Sequence, residues 1–147
     1  MLSKKAKYGI NALVYLAKKY EQGPLLIGDI ARHENIPKKF LEAILLDLKN
    51  AGVLGSKKGR GGGYYLIKSP DEVNMADVVR LFDGAIGFLP CVTHRYYERC
   101  EECKDEKVCG IRSLFKEVRD QTVNLLKNNS LSDIIAREHA IVEQGSE

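Results

Sequence analysis

Residues 53–67 read Val53-Leu54-Gly55-Ser56-Lys57-Lys58-Gly59-Arg60-Gly61-Gly62-Gly63-Tyr64-Tyr65-Leu66-Ile67, and this stretch decides the fold. Two short apolar or aromatic runs flank a basic, glycine-rich loop, which is the pattern of a β-hairpin. Just upstream, Phe40, Leu41, Ile44, Leu45 and Leu48 share one helical face, and that helix ends at Gly52. Asn35-Ile36-Pro37 forms the turn before it, with Pro37 near the first helical position. A shorter helix precedes the turn, from Ile27 or Gly28 to about Glu34. Two helices in tight succession followed by a basic-tipped hairpin predict a mainly α fold, a winged helix-turn-helix with a small β-hairpin wing.

The flanks extend this unit. From Ser3 to Tyr20 the apolar residues Ala6, Ile10, Leu13, Val14 and Ala17 keep helical spacing, and Gly23-Pro24 ends the segment. After the wing, Ser69-Pro70-Asp71-Glu72 looks like the start of a helix that Met75, Val78, Val79 and Phe82 continue. Residues 84–110 lack periodicity and read as a loop. From Ile111 a narrow stripe of Leu114, Phe115, Val118, Thr122, Leu125 and Leu126 predicts a long helix of roughly four turns, suited to a dimer seam. A short last helix over 130–135 follows, with fraying after Glu138. The expected organisation is a DNA-binding winged helix over 1–83, a cysteine-rich sensor loop over 84–110, a dimerisation helix and short terminal helix over 111–137, and a frayed tail over 138–147.

Charge is uneven. Residues 1–68 carry 13 Lys and Arg against 5 Asp and Glu, whereas residues 69–147 carry 10 against 15. A basic first half beside an acidic second half points to a polyanion-binding module joined to something else. No run of about 18 apolar residues is present, which argues against a membrane partner. The basic start Met1-Leu2-Ser3-Lys4-Lys5 leads into an amphipathic pattern rather than an export signal, so a cytoplasmic protein is expected.

Within the predicted helix-turn-helix, the second helix enters the major groove N-terminus first. Its leading residues are Lys38, Lys39 and Glu42. The lysines suit phosphates, which add affinity without sequence information. Glu42 either accepts a hydrogen bond from a cytosine amino group, which would make it a specificity element, or pairs locally with a lysine. At the wing tip, glycines let the backbone approach the phosphate ridge while Lys58 or Arg60 enters a minor groove. The loop lacks the Gly-Lys-Ser/Thr ending of a phosphate-cradling nucleotide site.

All four cysteines fall within residues 91–109, as Cys91, Cys100, Cys103 and Cys109. Disulfide frameworks staple distant segments of small secreted proteins, so this clustering points to metal or redox chemistry. Four thiolates suit tetrahedral zinc or the iron atoms of an iron–sulfur cluster. Cys100 and Cys103, two residues apart, can reach one metal. Zinc knuckles usually show two such close pairs, and here there is one, so a single cluster fits at least as well. His94 lies in the same loop as a possible substitute ligand, and Tyr96 and Tyr97 either roof the loop or anchor it on the core.

Several of these segments together resemble the Rrf-type bacterial winged-helix regulators, with their IscR-like and NsrR-like iron–sulfur branches. The resemblance is carried by Leu2-Ser3-Lys4-Lys5-Ala6-Lys7-Tyr8, by Ile36-Pro37-Lys38-Lys39-Phe40-Leu41-Glu42, by Gly59-Arg60-Gly61-Gly62-Gly63-Tyr64, and by Cys103 and Cys109. It covers the chain to about residue 137. The resemblance implies a homodimer whose long C-terminal helices cross, with iron–sulfur occupancy altering binding to a double-stranded DNA operator. It implies that Glu42 is a base-reading glutamate, that Lys58 stands for a wing arginine, and that Cys91, Cys103 and Cys109 are cluster ligands. The IscR-like histidine three residues after the last cysteine is replaced by Arg112, which cannot ligate. The NsrR-like N-terminal aspartate is replaced by Lys7. Cys100 is the extra residue and the natural fourth ligand.

The sequence therefore predicts a DNA-binding transcription regulator, a repressor in the first instance, controlled by an iron–sulfur cluster of 2Fe–2S type, with 4Fe–4S the other possibility. The competing reading is a zinc-stabilised or thiol-switch regulator without iron. No Ser/His/Asp or paired-carboxylate arrangement supports an enzyme.

Overall fold

The structure is a computed structural model and describes residues 1–145. Helix α1 (Lys4–Lys18) starts where the Ser3 hydroxyl accepts from the Ala6 N–H at 3.0 Å. The helix-turn-helix is α2 (Ile27–Glu34) and α3 (Lys38–Asn50). Asn35 sits between them in the left-handed conformation, φ 53°, which short polar side chains tolerate and which makes the turn tight. Strands β1 (Leu54–Lys57) and β2 (Gly63–Leu66) form the antiparallel wing, in a register pairing Leu54 with Leu66 and Lys57 with Gly63. Leu54 and Leu66 are buried and root the hairpin in the core.

Beyond the wing the chain departs from the single helix expected after Ser69. Pro70–Glu72 is one 3-10 turn, Val73 is extended, and α4 (Met75–Asp83) begins afresh with an Asn74 cap. The break has a tertiary cause: the Val73 carbonyl accepts from the Leu131 N–H at 3.0 Å, and the Met75 N–H donates to the Asn129 carbonyl at 3.0 Å. A continuous helix would withdraw both groups from the later segment.

Residues 84–109 contain no α-helix, only 3-10 turns at Pro90–Val92 and Glu106–Val108. Helix α5 (Gly110–Lys127) spans 18 residues, longer than the four turns expected. Helix α6 (Leu131–Gly145) corrects the expectation of a short terminal helix and of fraying from residue 138, since it continues to Gly145. Residues 146–147 of that tail lie outside the described residues. Packing explains the length. Leu131 is wholly buried among Leu13, Leu16, Ile30, Leu41, Ile44, Leu45 and Leu48, and Lys18 on α1 pairs with Glu138 at 2.6 Å. The last helix thus closes the winged-helix core, while α5 touches that core through half-buried Leu126 and, of its described residues, buries Arg119 and Val123.

Candidate nucleic-acid interface and cysteine loop

Helix α3 buries Leu41, Ile44, Leu45 and Leu48, which turns Lys38, Lys39 and Glu42 outward. None of the three takes part in an ion pair among the described residues, so Glu42 is not neutralised by a neighbouring lysine. A concave surface of about 640 Å³ runs between α2, α3 and the wing. It gathers Lys38, Glu42 and Lys58 with Lys49 and Lys57, while Lys39 and Arg60 lie outside its lining. Lys49 and Lys57 were not singled out from sequence, because lysines at helix ends and strand ends are common on any solvated face.

The wing's position depends on backbone contacts that only glycine permits. Gly63 has φ 142°, and a Cβ there would come within 2.2 Å of the Leu25 carbonyl oxygen. Close approach lets Leu25 and Tyr64 exchange two backbone hydrogen bonds of 2.8 Å, which pin the hairpin to the segment entering α2. At the tip the Gly62 N–H closes a turn onto the Gly59 carbonyl at 3.0 Å and leaves Lys58 and Arg60 exposed.

The cysteine loop is held at both ends. Cys91 is buried in the first 3-10 turn, and Cys100, Cys103 and Cys109 are half-buried. The neighbouring Cys91 thiol, with burial and the nearby Cys103, pushes the Cys100 thiol pKa above its usual value. Arg99 spans the Cys100–Cys103 turn, donating to the carbonyls of Cys103 (3.2 Å) and Lys104 (3.3 Å). Tyr96 and Tyr97 are exposed rather than anchored on the core. The Tyr97 hydroxyl donates to Glu106, and that bonded carboxylate raises the hydroxyl pKa. Cys109 is the N-cap of α5, its Sγ accepting from the Arg112 N–H at 3.4 Å. Among the described residues no group of three or more His, Cys, Asp or Glu side chains is gathered as a metal would require. His94 faces α5 instead, 4.0 Å from Asp120.

One functional candidate escaped the sequence reading. Arg119, only 9% exposed, projects from α5 into the loop, donates to the Val92 carbonyl and pairs with Asp120 at 2.5 Å. Its type and helical position carry no signal of burial. No helix among the described residues is long and apolar enough to cross a membrane.

Comparison with known proteins agrees with this architecture. The family model Rrf2, described as an iron-dependent transcriptional regulator, matches residues 2–137. The rrf2-like HTH-type transcriptional regulator of Rhodobacter capsulatus is 42% identical over 92% of this chain and 93% of its own length. The HTH-type regulator CymR of Bacillus subtilis is 35% identical over 82% of this chain and 84% of its own. The structure of that protein, the global cysteine regulator of its organism, aligns with a TM-score of 0.77, covering 93% of this chain and 97% of CymR. IscR of T. potens shares the fold, with a TM-score of 0.75, 23% identity and coverage of 94% and 88%. With a winged helix-turn-helix, a matched model over nearly the whole chain and relatives that regulate transcription rather than catalyse reactions, this chain belongs to the Rrf2 family of DNA-binding transcriptional regulators.

Proposed function

We propose that the chain is a cytoplasmic homodimer that binds duplex operators through Lys38, Lys39, Glu42, Lys58 and Arg60, as a repressor. We further propose that an iron–sulfur cluster on Cys91, Cys100, Cys103 and Cys109 controls that binding. The donor set suits such a centre chemically: four thiolates in one loop, with the Cys91 thiol neighbouring that of Cys100. The observation that carries the reading is the double role of Cys109. It belongs to the sensor loop and also caps α5. Drawing Cys109 toward the other three cysteines re-sets the first turn of α5, and the Arg119–Val92 bond passes the position of Cys91 to the middle of the same helix. When bound, the cluster supplies one-electron redox chemistry and a crosslink that oxidants can break. Binding that orders a loop contributes to folding it.

The partner for α5 is a second copy of the chain. Ile111, Leu114 and Leu125 are 64%, 56% and 62% exposed along one side, an apolar stripe that a monomer leaves in water. A two-fold dimer then presents two α3 helices to half-sites about one DNA turn apart.

Anaerobic purification followed by iron, sulfide and zinc analysis with a visible spectrum tests the reading. Iron and inorganic sulfide in equal amounts with charge-transfer absorption support it, and zinc alone contradicts it. The neighbouring Cys91 thiol, which pushes the Cys100 pKa up, favours a second reading, a disulfide switch without iron. Its mark is a colourless protein whose operator affinity changes on oxidation and recovers with dithiothreitol.

A further inference from the structure

Away from the DNA-reading groove the chain carries a second cleft, of about 480 Å³, between the end of α3, the root of the wing and α4. Buried Leu48, Val73 and Val78 form its floor, and exposed Leu81 extends the apolar wall. An apolar cleft of this size with a few charged groups around it is the usual form of a small-molecule site. Three cations line it: Lys68 where the chain leaves the wing, Arg80 on α4, and Arg95 of the cysteine loop. None of the three side chains has a hydrogen bond or ion pair among the described residues. Arg80 follows Asp77 by three residues, a helical spacing that favours pairing. Asp77 instead accepts from the Asn74 side-chain amide at 2.9 Å, in the cap of α4. Arg80 and Arg95 also line a smaller recess beside the cleft, together with His94. The two guanidiniums, from different elements, therefore share one ridge with no carboxylate bonded to either. Cations gathered in a cleft attract and hold an anion.

A guanidinium presents a planar fork of N–H donors that matches the two oxygens of a carboxylate. Glu72 stands at the other end of the cleft, ahead of the first turn of α4 and likewise without a side-chain partner among the described residues. A ligand with a second negative charge would meet that carboxylate and be rejected. We propose that this cleft is an effector site for a small monocarboxylate with an apolar body, its carboxylate on Arg80 and Arg95 and its body on Leu48, Val73, Val78 and Leu81. The cleft shares no lining residue with the DNA-reading groove. It does touch the last turn of the recognition helix at Leu48 and the wing root at Val53 and Lys68. A ligand seated there shifts operator affinity to the extent that it favours one arrangement of those two elements. The site needs nothing bound to the cysteines.

Phenylacetate is a suitable probe, with phenylacetamide, acetate, phenylsuccinate and inorganic phosphate as comparators. Binding to the full-length protein is followed by calorimetry and by amide NMR shifts. Phenylacetate should saturate at millimolar concentration and shift the amides around Leu48, Val78 and Arg80. The neutral amide, acetate and the dicarboxylate should each bind at least roughly ten-fold more weakly, as should phenylacetate to Arg80→Met and to Arg95→Met, the effect of losing one charge-assisted hydrogen bond. Saturating phenylacetate should change the operator affinity of the wild type and leave that of Arg80→Met where it was without the probe. Absence of saturable binding, equal binding of phenylacetamide, or undiminished binding to both arginine variants overturns the proposal. Should Arg80→Met fold poorly, undiminished binding to Arg95→Met, a change on an exposed loop, overturns it alone. Phosphate binding as tightly as phenylacetate marks a bare anion site and overturns the assigned ligand class. Unchanged wild-type operator affinity at saturation overturns the effector role.

Discussion

Arg119 of α5 donates a hydrogen bond to the backbone carbonyl of Val92, the residue that follows Cys91. The contact joins the buried end of the cysteine loop to the middle of the helix proposed to form the dimer seam. Its guanidinium is balanced by Asp120, which is half-exposed and also lies 4.0 Å from His94. Replacing Arg119 by Ala strands the Val92 carbonyl in a buried place. The expected loss is about 1–3 kcal/mol in urea unfolding, the cost of an unsatisfied buried polar group. Arg119→Ala should also reduce the difference in operator affinity between cluster-loaded and cluster-free protein, because the loop is then uncoupled from α5. A variant as stable as wild type would show that the bond contributes no such stability.

Glu42 and Lys58 line one groove, and no ion pair among the described residues satisfies the glutamate. Glu42→Ala is expected to relax discrimination at one base position per half-site by about 1–3 kcal/mol. Lys58→Ala and Arg60→Ala should weaken cognate and random duplexes evenly and flatten the salt dependence, by roughly 0.9 in log–log slope for each phosphate contact removed. Competition titrations with single-base operator variants separate these outcomes. Equal losses on all duplexes for all three variants would remove Glu42 from the specificity role.

Leu114→Glu and Leu125→Glu each place a charge on the exposed apolar stripe of α5. Sedimentation should report a monomer at micromolar concentration with helical content retained, and operator binding should fall with it. Dimers of unchanged affinity would locate the two-fold contact elsewhere.

Ser130 and Asp133 cap α6 reciprocally, the Ser130 N–H donating to Asp133 at 2.8 Å and the Asp133 N–H to the Ser130 hydroxyl at 3.3 Å. The bond from the Ser130 backbone holds the Asp133 carboxyl below the usual aspartate value. A folded-state pKa below the unfolded one contributes stability above the ordinary aspartate range, and that contribution is lost as pH falls through the folded value. Asp133→Asn should therefore narrow the stability gap between pH 7 and pH 3 in urea titrations. An acid profile identical to wild type would contradict the capping role.

The parts of this molecule legible in its sequence are those written in local chemistry. The Gly59–Gly63 run, the Asn35-Ile36-Pro37 turn and the apolar face of α3 each encode their geometry within a few residues, so the winged helix-turn-helix could be read directly. The break at Val73 and the full length of α6 could not. Both depend on Leu131 returning to the core of the first half, a contact between segments far apart in the chain. The cysteine loop was visible as a cluster, but the Cys109 cap follows from a backbone turn that no periodicity announces. Arg119 was hidden for the same reason. A charged residue on a helix looks solvated until the packing around it is known.

In the proposed mechanism the state of the cysteine loop sets affinity for DNA. The measurement that tests it most directly is an anaerobic operator titration, at fixed salt, of one protein sample divided between cluster-loaded form and form stripped by chelator. Operator affinities of the two forms should differ by at least roughly ten-fold, about 1.4 kcal/mol, and Cys109→Ser should abolish the difference. Equal affinities for the two forms, with the cluster demonstrably present in one and absent from the other, would contradict it.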